Sequence, residues 1–162
     1  MSFAIDVVVP SIEFTTGLLK SHLADFTDAE LFVRTCPAAN HAMWQVGHLV
    51  GSEAQMAGAI NGRGSILPET FTNLFKKTTA TVDDPAAFPT RAGLMEAFEK
   101  VRATTVETVS ALKDEDLGKT APGLPPFAST FGQLAVLLST HVAMHIGQLQ
   151  VMRRVLGKPV LF

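Results

Sequence analysis

The chain has 162 residues, of which 47% are hydrophobic and 17% charged, and its formal net charge at pH 7 is −2. This length suffices for one domain with one buried core, and a disordered chain would have lower hydrophobicity and higher charge. Lysine and arginine total 13 and form no basic block, so nothing indicates a surface that binds nucleic acid. We therefore expect a single domain that spans 1–162.

Cysteine content and the N-terminal segment narrow the class further. Cys36 is the only cysteine, which excludes an intrachain disulfide framework and a cysteine-rich zinc or iron–sulfur site. The first ten residues have no basic region and carry Asp6 in an apolar stretch, unlike a secretory signal. No uninterrupted apolar run approaches the roughly 20 residues that a transmembrane helix requires. These features predict a cytoplasmic protein without a membrane partner.

The first predicted helix covers about 11–26, where apolar residues recur at spacings of three and four. Thr27 and Glu30 then form a capping-box pattern that opens one short further turn. The valines at 7–9 form a β-branched run that is too short to seed a sheet.

The second predicted helix covers about 40–60, with Asn40 as its N-cap. Gly62 and Gly64 are expected to end it, because glycine adopts backbone angles that a helix does not. A weaker, minor helix is predicted over about 69–77.

The C-terminal half contains the remaining long helices. Residues 81–89 have the composition of a loop, and Thr90 is predicted to cap a helix that continues to about 112. Residues 114–126 form a proline-rich connection without regular structure, and the last helix is predicted over about 130–156. Four long helices and one minor helix indicate an all-α protein, an antiparallel four-helix bundle with one extra short helix.

The last helix carries polar residues where a bundle helix is normally apolar. Steps of four and three give the positions expected to face the interior: Leu134, Leu138, His141, His145, Gln148, Met152 and Val155. An unpaired buried polar group costs on the order of 1–3 kcal/mol. The polar middle of this series is therefore expected to have a specific partner.

A metal ion is one candidate for that partner. His141 and His145 are four residues apart, which corresponds to about 6 Å of rise and about 40° of rotation on a helix. Two imidazoles placed this way can converge on one ion. No glutamate follows His141, so the pair is not the metalloprotease motif. Two histidines that only hydrogen-bond to their neighbours remain an equally valid interpretation.

His48 is the best candidate for a third ligand, because it lies mid-helix among apolar and small residues. Taken alone, it would be a core histidine. His41, at the start of the same helix, and His22, near the end of the first helix, are expected to be exposed. His48, His141 and His145 together would leave at least one coordination position open for water or substrate.

The distribution of acidic residues constrains the chemistry. No aspartate or glutamate follows Asp116, which excludes a di-iron carboxylate bundle. A neutral histidine site favours an anionic fourth ligand such as hydroxide, carboxylate or thiolate. Glu53 either contacts the metal ligands, or acts as a base, or faces the solvent. Gln148 either orients a bound water or a ligand imidazole, or is an amide of the core. Trp44 either lines a pocket or belongs to the core, and no general base is assigned.

The chain resembles the DinB/YfiT-like superfamily in three motifs, whose order and separation fit the family over nearly the whole chain. They are Trp44-x-x-x-His48-Leu49, His141-x-x-x-His145-x-Gly147-Gln148 and Leu156-Gly157-Lys158-Pro159. The resemblance implies an up-down-down-up four-helix bundle, usually dimeric. It also implies a divalent metal, often zinc or nickel, held by His48, His141 and His145. Some relatives are transferases or isomerases that use glutathione, mycothiol or bacillithiol, and many have no known activity.

Three hypotheses follow for this chain. The leading one is a metal-dependent enzyme of the thiol-dependent transferase or hydrolase type, with a small-molecule substrate and a low-molecular-weight thiol as possible co-substrate. The second is a dimeric, non-catalytic metal- or ligand-binding protein of the stress response. In the third, the histidines of the bundle are only structural.

Overall fold

The computed structural model describes residues 2–122 and 124–161, and within these ranges it contains helices and no strand. The five α-helices are α1 (Phe3–Leu23), α2 (Ala42–Asn61), α3 (Glu69–Asn73), α4 (Arg91–Ser110) and α5 (Phe131–Val155). Short 3-10 turns lie at Glu30–Phe32, Lys77–Thr79, Pro85–Ala87 and Asp114–Asp116. The all-α fold class predicted from the sequence is confirmed.

The start of α1 differs from its prediction, because the helix begins at Phe3 and includes the β-branched run and Pro10. Val8 and Val9 pack partly buried against one of the two hydrophobic clusters of the core. Tertiary packing thus outweighs the weak helix propensity of these residues. The capping box after α1 is confirmed: the Thr27 N–H donates to Glu30 Oε2 at 2.7 Å, and the Glu30 N–H donates to Thr27 Oγ1 at 3.3 Å.

The N-cap of α2 is His41, and not Asn40 as predicted. The imidazole Nδ1 of His41 accepts the Trp44 N–H at 3.1 Å, and its Nε2 lies 3.0 Å from the Val82 carbonyl. The expectation that His41 is exposed is wrong: its side chain is fully buried and its ring lies 4.9 Å from the ring of Phe32. An imidazole that caps a helix while donating to a loop carbonyl can be buried without an unsatisfied nitrogen.

The predicted caps of the two C-terminal helices are confirmed. Thr90 Oγ1 accepts the Gly93 N–H at 3.2 Å, and Thr130 Oγ1 accepts the Gln133 N–H at 3.3 Å. The predicted end of α2 is also confirmed, because Gly62 follows it with a φ of 71° in the left-handed region. The minor helix α3 is shorter than predicted, and a 3-10 turn interrupts the predicted 114–126 connection.

The four long helices pack so that α1 contacts α4 and α5, and α2 contacts the same two helices. At one end, Arg153 of α5 donates to Asp25 Oδ2 at 3.0 Å, just beyond α1. At the same end, Arg91 of α4 donates to the Leu23 carbonyl at 2.7 Å. The C-terminal end of α1 therefore lies beside the C-terminal end of α5 and the N-terminal end of α4.

The expectation that His22 is exposed is wrong, and Arg153 explains why. His22 is fully buried, its Nδ1 lies 2.7 Å from the Leu18 carbonyl, and its own carbonyl accepts from Arg153 at 2.8 Å. The last turn of α1 is thus covered by the end of α5.

The middle of the bundle is joined by Arg102 of α4, which is 3% exposed. Its guanidinium forms an ion pair with Glu53 Oε2 of α2 at 2.8 Å and donates to the Leu138 carbonyl of α5 at 3.1 Å. It also donates to three acceptors on α1: Thr15 Oγ1, Thr16 Oγ1 and the Ile12 carbonyl. One buried cation therefore connects all four long helices.

The inward face of α5 departs from the predicted series toward the C-terminus. Gln148 and Val155 are exposed, whereas the buried positions of this half are Val142, His145, Ile146, Leu149, Gln150, Met152 and Arg153. A strict seven-residue repeat drifts by about 20° per heptad relative to a straight α-helix. Extrapolated over three heptads, the repeat therefore drifted off the buried face: it selected the buried Met152 correctly but also selected the exposed Gln148 and Val155.

Among the described residues, one helix is long and apolar enough to cross a membrane. This helix is α5, with a mean hydropathy of 1.2, and 44% of the apolar window is buried. Histidine and glutamine side chains interrupt its apolar residues, and it packs along α1 and α2 as a helix of the bundle.

Candidate metal centre

Three imidazole rings from two helices meet inside the bundle. His48 comes from α2, and His141 and His145 come from α5. One nitrogen of each ring lies within 4.8 Å of the corresponding nitrogens of the other two. The ring centroids are 5.1 Å apart for His141–His145, 5.3 Å for His48–His141 and 5.7 Å for His48–His145. The sequence thus predicted a group of histidines that the fold brings together.

Trp44 holds His48 in place from the preceding turn of α2. Their rings are stacked, with centroids 5.0 Å apart and planes inclined by 6°. The indole N–H of Trp44 donates to Thr79 Oγ1 at 3.1 Å, which fixes the indole in turn. Gly47 allows Phe75 to approach α2 closely, since a Cβ at Gly47 would lie 2.1 Å from that ring. Close packing around this turn therefore restricts its orientation.

Gln45 holds His145, and this contact was missed in the sequence. Gln45 Oε1 lies 3.1 Å from His145 Nδ1, and the amide nitrogen of Gln45 donates to the Asn40 carbonyl at 2.7 Å. The second bond assigns the amide oxygen to the imidazole, so Nδ1 of His145 carries the proton and Nε2 has a free lone pair. A ligand histidine usually donates its other nitrogen to such an acceptor.

Burial keeps the three imidazoles neutral. It lowers the pKa of His48, and it lowers the pKa of His141 to about 4 with a smaller contribution from His48. Burial also lowers the pKa of His145 to about 4, with contributions from the other two rings. Neutral imidazole is the form that binds metal, so the folded protein presents the ligand form at pH 7.

The spacing of the nitrogens fits a metal ion. Zinc binds imidazole nitrogen at about 2.0–2.1 Å, so nitrogens of a tetrahedral site are about 3.3 Å apart. Nitrogens within 4.8 Å of one another reach this spacing through small side-chain rotations. Imidazole donors suit zinc, nickel, copper and iron. Within the described residues no carboxylate belongs to the group, and the donor set can hold a divalent cation.

The group opens onto a cleft of about 440 Å³ between α2 and α5. His48 and His141 line part of it, and Leu124, Pro125 and Phe127 of the segment before α5 line another part. The volume lies within the range of small-molecule sites. A molecule in this cleft would reach the open side of the histidine group.

The remaining candidates lie as follows. Glu53 is 3% exposed and forms the ion pair with Arg102; burial raises its pKa and the guanidinium opposes this shift. Gln148 is exposed and lines a different cleft, with Gln45 at its base. Trp44 is 6% exposed and contacts His48 from the side that faces the core.

A family model identifies the family of this chain, and a solved structure shows the fold. The sequence model of the DinB superfamily matches residues 11–149. A conserved protein from Enterococcus faecalis, known from its crystal structure, is similar in fold with a TM-score of 0.76 and 17% identity. The match covers 98% of this chain and 99% of that one. No curated protein matches this chain.

Proposed function

This chain belongs to the DinB superfamily, and we propose that it is a metal-dependent enzyme of the thiol-dependent transferase or hydrolase type. The observation that carries the proposal is the group of three histidines that opens onto a cleft of about 440 Å³. His48, His141 and His145 would hold zinc or nickel, as the resemblance implies. Such an ion lowers the pKa of a water or thiol that it binds and so supplies a nucleophile near neutral pH.

The protein residues would act by positioning and by charge. Gln45 keeps the proton of His145 on Nδ1, and Trp44 restricts the ring of His48, so both donors are pre-oriented. The neutral donor set leaves the charge of a divalent ion uncompensated. An anionic fourth ligand is therefore favoured, and a thiolate from a low-molecular-weight thiol meets that requirement. A thiol of this kind belongs to the reducing cytoplasm, where we place the protein.

Cobalt substitution tests the proposal. The protein, purified without a nickel column and loaded with Co²⁺, is titrated with glutathione, mycothiol and bacillithiol while the visible and near-ultraviolet spectrum is recorded. We expect a sulfur-to-cobalt charge-transfer band with at least one thiol, and none in His145→Ala. Cobalt that binds without responding to any thiol contradicts the thiol-dependent activity and leaves the hydrolase. A protein that takes up no metal contradicts the proposal as a whole.

We propose that the bundle runs up-down-down-up. The support comes from contacts between helix ends: α1 ends beside the end of α5 and the start of α4, as described above. At the opposite end, Asn61 at the C-terminus of α2 donates to Thr108 Oγ1 near the C-terminus of α4 at 3.1 Å. These contacts fit α1 parallel to α5, α2 parallel to α4, and the two pairs antiparallel.

We propose a homodimer and a small-molecule substrate, without a nucleic-acid or membrane partner. The outer face of α5 has no Asp, Glu, Lys or Arg from Phe131 to Met152. Large apolar side chains are exposed on α5 at Val136, Val151 and Val155, and on the neighbouring α1 at Val7 and Phe14. An uncharged apolar face is complementary to its own copy about a two-fold axis. Sedimentation equilibrium should give a dimer for the wild type and a monomer for Phe14→Asp; a monomeric wild type contradicts this proposal.

A further inference from the structure

The cleft beside the histidines is built from two helices and one loop. On α2, Ser52, Gln55, Met56 and Ala59 follow His48 on one face. On α5, Leu134, Leu137 and Met144 lie on the face of His141. Leu124, Pro125 and Phe127 of the loop complete the lining. The histidines are therefore at one end of an elongated cleft.

The lining carries no charged side chain among the described residues. Its neutral polar groups, Ser52 and Gln55, lie within two turns of His48. Beyond them the lining is hydrocarbon or thioether: Met56, Ala59, Leu124, Pro125, Leu134 and Leu137. Glu53, next to Ser52 in sequence, faces the core and is neutralised by Arg102. Apart from the histidines and these two neutral polar residues, the lining of the cleft is therefore apolar.

The length of the cleft follows from helix geometry. Ala59 lies three turns after His48, which corresponds to about 16 Å along α2 at 1.5 Å per residue. Leu134 lies two turns before His141, or about 10 Å along α5. A ligand that spans the cleft therefore extends about 10–16 Å from the histidines.

The mouth of the cleft exposes large apolar side chains. Phe127 is 75% exposed and Met144 is 59% exposed, and both line the cleft. Exposed apolar groups that border a concave site mark it as a binding surface. Methionine adapts its shape to different apolar ligands, so this rim suits a range of hydrocarbon bodies.

We infer that the cleft selects a small molecule with one metal-binding head and an uncharged alkyl or aryl body about 10 Å or more in length. The claim that the head binds a metal rests on the proposed function. The preference for an uncharged apolar body rests on the lining of the cleft alone. A hydrophilic body with several charges, such as that of glutathione, finds no counter-ion along the lining. Burying such charges unpaired is strongly unfavourable. The cleft therefore takes the apolar substrate and excludes a polar thiol from its deep half.

A homologous series of hydroxamates tests the inference on the zinc-loaded protein. Binding of acetohydroxamate through octanohydroxamate is followed by calorimetry and by the fluorescence of Trp44, the only tryptophan. Burial of each methylene is expected to improve Kd by about two- to fourfold. A compound of the octanoyl length that ends in a carboxylate should bind at least tenfold more weakly than octanohydroxamate. Equal affinity along the series, or for the charged compound, overturns the inference.

Variants assign the effect to the cleft. Ala59→Phe fills the deep half and should weaken octanohydroxamate binding at least tenfold more than acetohydroxamate binding. Ala103→Phe, at an exposed position of α4 away from the cleft, is the matched control and should behave as wild type. If Ala59→Phe does not fold, Phe127→Ala at the exposed rim should reduce the gain per methylene. An unchanged gain in the folded cleft variants overturns the inference.

The metal-free protein separates this inference from the proposed function. Binding of 1-octanol but not 1-butanol to that protein supports the apolar cleft even if no metal is ever bound. Zinc uptake without any preference for longer chains contradicts the inference and leaves the metal-dependent function intact. Dissociation of a dimer by 1-octanol, measured by sedimentation, would show that a second copy of the chain occupies the cleft. That result would also overturn the inference.

Discussion

The bundle contains two clusters of polar side chains, one around Arg102 and one around His145, and they differ in how their hydrogen-bonding capacity is used. Arg102 finds a carboxylate, two hydroxyls and two carbonyls within the protein. His145 finds one partner, Gln45, through its Nδ1. In the described part of the chain, His48 and His141 make ring contacts but no hydrogen bond.

The comparison distinguishes a structural polar cluster from a ligand site. A guanidinium whose donors are all satisfied within the protein needs no ligand, and its role is to fix the arrangement of the helices, even though Glu53 Oε1 beside it has no hydrogen-bond partner among the described residues. Imidazole nitrogens that converge on a common point without a protein partner leave a position for a ligand. Disrupting the two clusters should therefore affect different properties of the protein.

Arg102→Met should have the largest effect, and on stability alone. Glu53 would remain buried without its counter-ion, which costs about 3–5 kcal/mol. Urea unfolding followed by circular dichroism measures the change in the free energy of unfolding. Arg102→Met/Glu53→Gln should recover much of the loss, and zinc bound per folded chain should not change. A loss of zinc in the folded single variant would show that the two clusters are coupled.

His145→Ala should affect metal binding most and should change the stability of the metal-free protein much less. Loss of a residue that only hydrogen-bonds to a metal ligand lowers metal affinity about 10–100-fold. Removal of one of the three ligands themselves is expected to lower zinc affinity by more than about a hundredfold. The increase in Tm upon addition of zinc should then be absent, because ligand binding to the folded state adds stability. The control is His41→Asn, which replaces the α2 cap and should retain zinc. Full zinc content in His145→Ala would exclude this residue as a ligand.

Gln45→Leu tests the partner of the metal ligand. The substitution keeps the approximate side-chain volume but removes the acceptor of the His145 Nδ1 proton. Zinc affinity should therefore fall about 10–100-fold. Competition with a chromophoric chelator measures this affinity. Gln148→Leu, at the exposed position on α5, is the matched control and should bind zinc as wild type does. An effect of Gln148→Leu equal to that of Gln45→Leu would contradict the assignment.

Acid should destabilise the metal-free protein through the histidine cluster. The folded pKa of His141 and His145 is about 4, against an ordinary value of 6.5, so below pH 6.5 the unfolded chain binds protons that the folded one does not. The free energy of unfolding should therefore fall as the pH decreases from about 6.5 toward about 4. His141→Leu/His145→Leu should show a smaller decrease, with a residual share from His41 and His48, whose pKa values are also lowered by burial. Equal decreases in both proteins would contradict the assignment.

Local signals in the sequence predicted the fold well, because helix caps depend on neighbouring residues. Thr90 and Thr130 bond to amides three residues away, and Gly62 ends α2 through its own backbone angle. The start of α1 could not be predicted in this way, since it depends on packing of Val8 and Val9 against distant residues. His41 was similarly misjudged, because the Val82 carbonyl that permits its burial belongs to a remote loop.

The same division applies to the candidate site. The spacing of His141 and His145 and the apolar surroundings of His48 predicted the histidine group, whose members two packed helices then brought together. Gln45 could not be assigned, because it contacts His145 across 100 positions of sequence and no local pattern reports that pairing. Long-range contacts of single polar side chains require coordinates.

The most direct test is a crystal structure of the protein, purified without a nickel column and then supplied with zinc, with anomalous data collected on both sides of the zinc and nickel edges. The account predicts one anomalous peak, with a nitrogen of His48, His141 and His145 each about 2.0–2.2 Å from it. No peak at saturating zinc, or a peak bound by other residues while these three rings remain apart, would contradict it.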